Sequence, residues 1–160
     1  QSAEALIDLP LETALPDEVA PTPTERIEIY RRFEGVEDEE ALDRLGADLA
    51  SEFGAHQAFD NLAAIKRLKL RSLGTPVAGI RSMSRPRSTG GVRDYLVFGL
   101  EREPTESEIS ALTGLKVGWS AKGIEVRLPL DLAESPPALE ALRALESLAG
   151  AGLTGGADEE

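Results

Sequence analysis

The chain has 160 residues, 29 acidic and 17 basic, for a net charge of −12, and 41% of it is hydrophobic; that suits one domain with a core of Leu, Ala, Ile and Val. It has no cysteine and a single histidine, His56, which excludes disulfides, thiolate metal sites, a thiol nucleophile and a polyhistidine metal centre. No apolar run approaches the roughly 18 residues that span a bilayer, and so acidic a chain is repelled by nucleic acid over most of its surface.

The N-terminus QSAEALIDLP lacks the basic start and apolar run of a signal peptide. It also lacks an initiator methionine, as expected of a piece excised from a longer or processed chain. The absence of cysteine fits a reducing cytoplasm.

Charge is uneven along the chain. Residues 1–54 hold 15 acidic and 4 basic side chains, whereas residues 55–100 hold 2 and 8. Residues 1–23 form a proline-rich lead-in. Pro10, Pro16, Pro21 and Pro23 forbid a long helix, so it is expected to be extended, with Ile7 to Leu11 as an edge strand. Thr24 opens and caps a first helix with Ile27, Tyr30 and Phe33 on one face, and Gly35 stops it. Asp38 or Glu39 opens a second helix to Phe53, with Leu42, Leu45, Leu49 and Phe53 as its apolar stripe and Gly54 after its end. Its polar side groups Arg44, Asp48, Ser51 and Glu52 by i+3 and i+4 spacing. A third helix spans about Gln57 to Leu73, with Leu62, Ile65 and Leu68 facing the core. Its basic end (Lys66, Arg67, Lys69 and Arg71) suits the negative helix terminus.

The period then changes. Residues 77–84 and 92–99 read as a hairpin around the loop RPRSTGG. A short helix from about Thr105 to Leu112 opens with a capping box, Thr105 and Glu108. Residues 116–121 and 124–128 form a second hairpin turning near Lys122-Gly123. Ser135-Pro136 opens a last helix with Leu139, Leu142, Leu145 and Leu148 inward. Residues 150–160 read as a disordered tail. The fold class is α+β: an antiparallel sheet of two hairpins, with an added N-terminal edge strand, packed against about five helices. One domain covers 24–149.

No motif supports catalysis. Gly74 and Gly79 have P-loop spacing, but Ile80 and Arg81 stand where Lys and Ser/Thr would reach phosphate and magnesium, and Pro76 removes an amide. Helix end plus strand entry explains these glycines. His56 has no local Ser/Asp partner and reads as a loop or cap residue. The acidic groups Glu37 to Glu40, Glu106 with Glu108, and Asp131 with Glu134 read as solvated. Trp119 reads as a packing residue in a core poor in aromatics. Arg81, Arg85, Arg87 and Arg93 flank the first hairpin and are candidate phosphate contacts; counter-charge to the acidic N-terminal third is the plainer reading. Tyr95 and Phe98 read as sheet packing.

Several segments together resemble one family. They are Asp8-Leu9-Pro10, Leu15-Pro16, the run Arg26 to Arg32, Phe53-Gly54, and Asn61-Leu62 through Arg71. Over about the first 75 residues the chain resembles the C-terminal domain of bacterial transcription-repair coupling factors (Mfd). The remainder agrees only in element order and length. The resemblance implies a non-catalytic, autoinhibitory regulatory domain that docks on the UvrB-like N-terminal module of its own parent. There it would mask the surface that recruits UvrA and restrain the DNA translocase motor until RNA polymerase is engaged. ATP and magnesium would belong to that motor, DNA would be reached through it, and this chain would hold no cofactor, in the cytoplasm and off the membrane. The family's masking contacts fall at Asp48, Ser51 and Glu52. Asp48 keeps the acid, while Ser51 and Glu52 depart from the family's Asp-Arg pair. The polar face with Asp48 and Glu52 then suits an Arg-rich partner surface. The alternative is a nucleic-acid-binding accessory module using the basic hairpin 81–93.

Overall fold

The structure is a computed structural model that describes residues 4–115, 119–132 and 135–158. In chain order its elements are β1 (Leu6–Asp8), α1 (Pro23–Glu34), α2 (Glu39–Phe53), α3 (Gln57–Ser72), β2 (Val77–Pro86), β3 (Val92–Leu100), α4 (Glu106–Thr113), β4 (Ser120–Lys122), β5 (Glu125–Pro129), one 3-10 turn (Leu130–Leu132) and α5 (Pro137–Asp158). The α+β expectation holds. The strands form one five-stranded sheet in the order β1-β2-β3-β5-β4. β1 pairs parallel to β2 and every other pairing is antiparallel, so the sheet is mixed.

The chain divides into two compact units, residues 10–70 and residues 1–9 with 71–160. This division differs from a proline-rich lead-in over 1–23 followed by one domain over 24–149. β1 belongs with the sheet, and the prolines belong with the first three helices.

In the helical unit, Thr22 rather than Thr24 caps α1, its hydroxyl accepting from the Glu25 amide at 3.2 Å. Pro23 then takes the first helical position, where a missing N–H is harmless. On the buried face are Ile29 and Phe33, whereas Ile27, expected inside, is 48% exposed. α2 follows the sequence reading closely. Asp38 caps it, accepting from the Ala41 amide at 2.8 Å, and Leu42, Leu45 and Leu49 are buried. The backbone leaves α2 at Gly54 with φ of 85°, a left-handed value that favours glycine. The lead-in is more than an extended strap. Leu15, Val19 and Ala20 join Ile29, Phe33, Leu42, Leu45, Leu49, Ala58 and Phe59 in one apolar core. Two polar brackets hold it there: the Tyr30 hydroxyl donates to the Thr13 carbonyl at 3.1 Å and Asn61 Nδ2 donates to the Glu12 carbonyl at 2.8 Å.

In the sheet unit, β3 is the central strand. Leu96, Val97 and Phe98 are all buried, so both faces are covered and the strand reads as a continuous apolar run. Val77 and Ile80 of β2, Val126 and Leu128 of β5, and Ala141, Ala144, Leu145 and Leu148 of α5 are buried as well. Leu139, expected inward, is 41% exposed. Trp119 is buried with its ring edge-on to Phe98, centroids 5.4 Å apart. The second hairpin turns through Gly123 and Ile124, Gly123 having φ of 60°. Residues 116–118, given to its first strand by the sequence, and Glu134, paired there with Asp131, lie outside the described residues. α5 runs through Asp158, so residues 150–158, read from composition as a disordered tail, form its last turns. None of the described helices is long and apolar enough to cross a membrane.

Candidate docking face

The polar side of α2 lies in the helical unit. α1 ends at Gly35, whose amide donates to the Arg31 carbonyl at 2.9 Å. Three residues later Asp38 starts α2. The short link leaves a groove of about 550 Å³ between the two helices, floored by Val36, Ala41 and Leu45 and rimmed by Arg31, Arg44 and Asp48. Asp48, Ser51 and Glu52 are all exposed, as an interaction face requires.

Their electrostatic states differ. Glu52 lies 3.5 Å from Arg32, an exposed pair, and Arg44 binds Glu40 one turn back at 2.7 Å. Such exposed pairs contribute at most about 1 kcal/mol and can be exchanged for a partner's charge. The Asp48 side chain makes no hydrogen bond or ion pair among the described residues and sits at the groove. Arg31, exposed on the opposite rim, has no side-chain partner among them either. The face is therefore of mixed charge, with Arg31 and Arg32 of α1 added to the Arg44, Asp48, Ser51 and Glu52 that the sequence groups on α2. Arg31 and Arg32 escape sequence reasoning as part of this face because they belong to another helix.

Two cations of the basic end of α3, Lys66 and Arg67, are held within the same unit. Arg67 bridges Glu39 at 2.8 Å and Asp43 at 2.5 Å, and the Asp43 hydrogen bond is the main reason its guanidinium is held even more firmly protonated than usual. Lys66 is buried and donates to the Glu34 carbonyl at 3.2 Å, placing a cation at the negative end of α1. His56 Nε2 lies 3.1 Å from the Phe53 carbonyl, a local contact at the α2–α3 link that matches its reading as a cap.

The four hairpin arginines lie in the sheet unit. Arg81 binds Glu125 at 2.8 Å, while Arg87 and Arg93 both reach Asp131 Oδ2, at 2.9 and 3.4 Å. Their counter-charges come from residues 125–131, which corrects the expectation that the acidic N-terminal third supplies them. Arg85 is exposed and makes no ion pair among the described residues. Gly74, with φ of 81°, sits in the turn after α3, and Gly79 lies within β2; the two glycines do not frame a loop that opens a helix. Among the described residues no three His, Asp or Glu side chains are grouped to hold a metal ion.

Comparison with known proteins agrees with the resemblance read from the sequence. Residues 9–86 match the family model of the TRCF domain. No curated protein matches the chain. Among solved structures the fold matches the crystal structure of the C-terminal domain of a transcription-repair coupling factor, with a TM-score of 0.70 at 19% identity over 95% of this chain and 96% of that one.

Proposed function

We propose, from a chain whose residues 9–86 carry the TRCF domain, that it is the non-catalytic, autoinhibitory module of a transcription-repair coupling factor and that it docks through the α1–α2 face. The partner is the UvrB-like N-terminal module of the same parent. Docking masks the UvrA-binding surface and restrains the ATP-driven DNA translocase until RNA polymerase is engaged.

The observation that supports this reading is Asp48: an exposed carboxylate on the rim of a groove, with no partner among the described residues. A guanidinium from the partner would gain a charge-assisted hydrogen bond there without breaking an existing one. Glu52 adds a second acid one turn on, and its exposed pair with Arg32 is weak enough to yield.

The test is made in the full-length parent with Asp48→Lys and Glu52→Lys combined. The double variant is expected to capture UvrA without RNA polymerase and to hydrolyse ATP faster than wild type. Unchanged UvrA capture together with unchanged ATPase would remove this face from the mechanism.

A further inference from the structure

We propose that the tip of the β2–β3 hairpin is a phosphate-binding site that takes the backbone of duplex DNA, with Asp131 as its built-in competitor.

The sheet supports this hairpin only at its base. β1 pairs with β2 at Gly79 to Arg81, and β5 pairs with β3 from Tyr95 to Gly99. Beyond these limits Ser84–Pro86 and Val92–Asp94 form a ribbon of two strands alone among the described residues. Arg85 and Arg93 stand directly opposite each other in its register. Like charges so placed repel and destabilise a strand pair, so some other charge must justify them. Arg87, at the start of the connecting loop, completes a cluster of three guanidiniums. They line a cavity of about 280 Å³ together with Ser88, Thr89 and Tyr95.

The protein meets this positive charge incompletely. Arg87 and Arg93 converge on one oxygen of Asp131, and Arg85 has no anionic partner among the described residues. Asp94 is engaged by the Ser84 hydroxyl. Arg93 Nε is a buried donor with no acceptor among the described residues. Asp131 Oδ2 thus stands where an oxyanion of a ligand would sit, accepting from Arg87 and ion-paired with Arg93. A phosphate offers more oxygens and more charge, and binds guanidiniums in the same way.

The ribbon favours nucleic acid over an acidic protein. Its cations are spread over both strands and the loop, and a two-stranded ribbon is an element that the major groove admits. The cavity lining is polar apart from Pro86 and the Tyr95 ring, so it lacks the apolar anchor of a protein hot spot.

The test uses this chain and a fluorescein-labelled duplex of arbitrary sequence, read by anisotropy at about 50 and about 200 mM salt. Wild type is expected to bind with Kd on the order of 10 μM at the lower salt and to lose most of that affinity at the higher. Arg85→Glu is expected to weaken binding about tenfold. Asp131→Asn, which frees Arg87 and Arg93, is expected to tighten it about threefold. Arg85 makes no ion pair among the described residues, so its substitution breaks none. No binding by wild type at about 100 μM duplex, an unchanged Arg85→Glu variant, or an Asp131→Asn variant no tighter than wild type overturns the proposal. Displacement by a polyglutamate peptide as readily as by unlabelled duplex would assign the tip to an acidic protein and overturn it too.

Discussion

Arg102 grips the Glu108 carboxylate with two parallel hydrogen bonds, each 2.9 Å, and the Glu108 side chain is only 2% exposed. The same carboxylate accepts from the Thr105 amide at 2.8 Å, while the Glu108 amide donates to the Thr105 hydroxyl at 3.2 Å. One buried acid therefore closes the capping box of α4 and fixes the loop that enters it. The Arg102 hydrogen bond is the chief cause of a carboxyl held below its ordinary range, against the opposing effect of burial. Glu125 is lowered as well, first by Arg81 and then by Arg127.

Both acids bind protons less readily folded than unfolded, so each contributes stability that is present above the unfolded carboxylate pKa and is lost as pH falls through the folded value. The urea midpoint of the chain is expected to fall on acidification from about pH 5 downward. Glu108→Gln should flatten part of that limb. A variant with an acid limb identical to wild type would show that the clamp carries no linkage. At neutral pH Glu108→Ala is expected to cost about 2 kcal/mol, from the lost cap and the broken pair.

The two isoleucines of α1 differ in burial, Ile29 being 4% exposed and Ile27 48%. Ile29→Ala is expected to cost about 3 kcal/mol, whereas Ile27→Ala should cost under about 1 kcal/mol. Chemical denaturation of the two variants compares them directly, and equal losses would contradict the register of this helix.

Arg67 joins the start of α2 to α3 through two carboxylates. Arg67→Ala is expected to destabilise by about 1 kcal/mol at low salt, with a smaller effect at about 0.5 M salt, because these groups are partly exposed. A salt-independent loss would mean that the aliphatic stem, and not the charge, does the stabilising.

Trp119 is the single tryptophan, buried against Phe98 in the sheet unit. Its emission is expected to be blue-shifted when folded and to move red as that unit unfolds. Phe98→Leu should shift the folded emission without unfolding the chain at room temperature. An emission maximum already at the fully hydrated position would contradict the burial.

In the proposed docking face, Arg31→Glu and Asp48→Lys bear on two rims of one groove. On that proposal, with a partner that presents charges of both signs, each variant should weaken the proposed association with a UvrB-like module by about tenfold, and both losses should shrink with salt. Isothermal titration at two ionic strengths measures this.

Local signals carried much of the architecture. Asp38 and Thr105 with Glu108 cap the helices assigned to them, and the stripe Leu42, Leu45, Leu49 is buried as its spacing implies. Such features need only neighbours within four residues. The errors occur where a choice between nearby candidates rests on distant chain. Thr22 and Thr24 are both plausible caps, and Leu139 is as apolar as Leu145, yet packing buries one leucine and leaves the other in solvent. Asn61 was legible as part of a family pattern, but its bond to the Glu12 carbonyl, 49 residues away, was not.

The sequence alone determined the order of helices and hairpins, the caps of α2 and α4, and the polar side of α2 that carries Asp48 and Glu52. Short-range sterics and amphipathic period are sufficient for these. Only the tertiary structure decided which acid meets which arginine: Glu125 for Arg81 and Asp131 for Arg87, each 44 residues away. It also left Asp48, Arg31 and Arg85 without partners among the described residues. Ion pairing depends on distance in space and falls off within a few ångströms, and linear order carries no measure of that distance until the sheet and helices have packed.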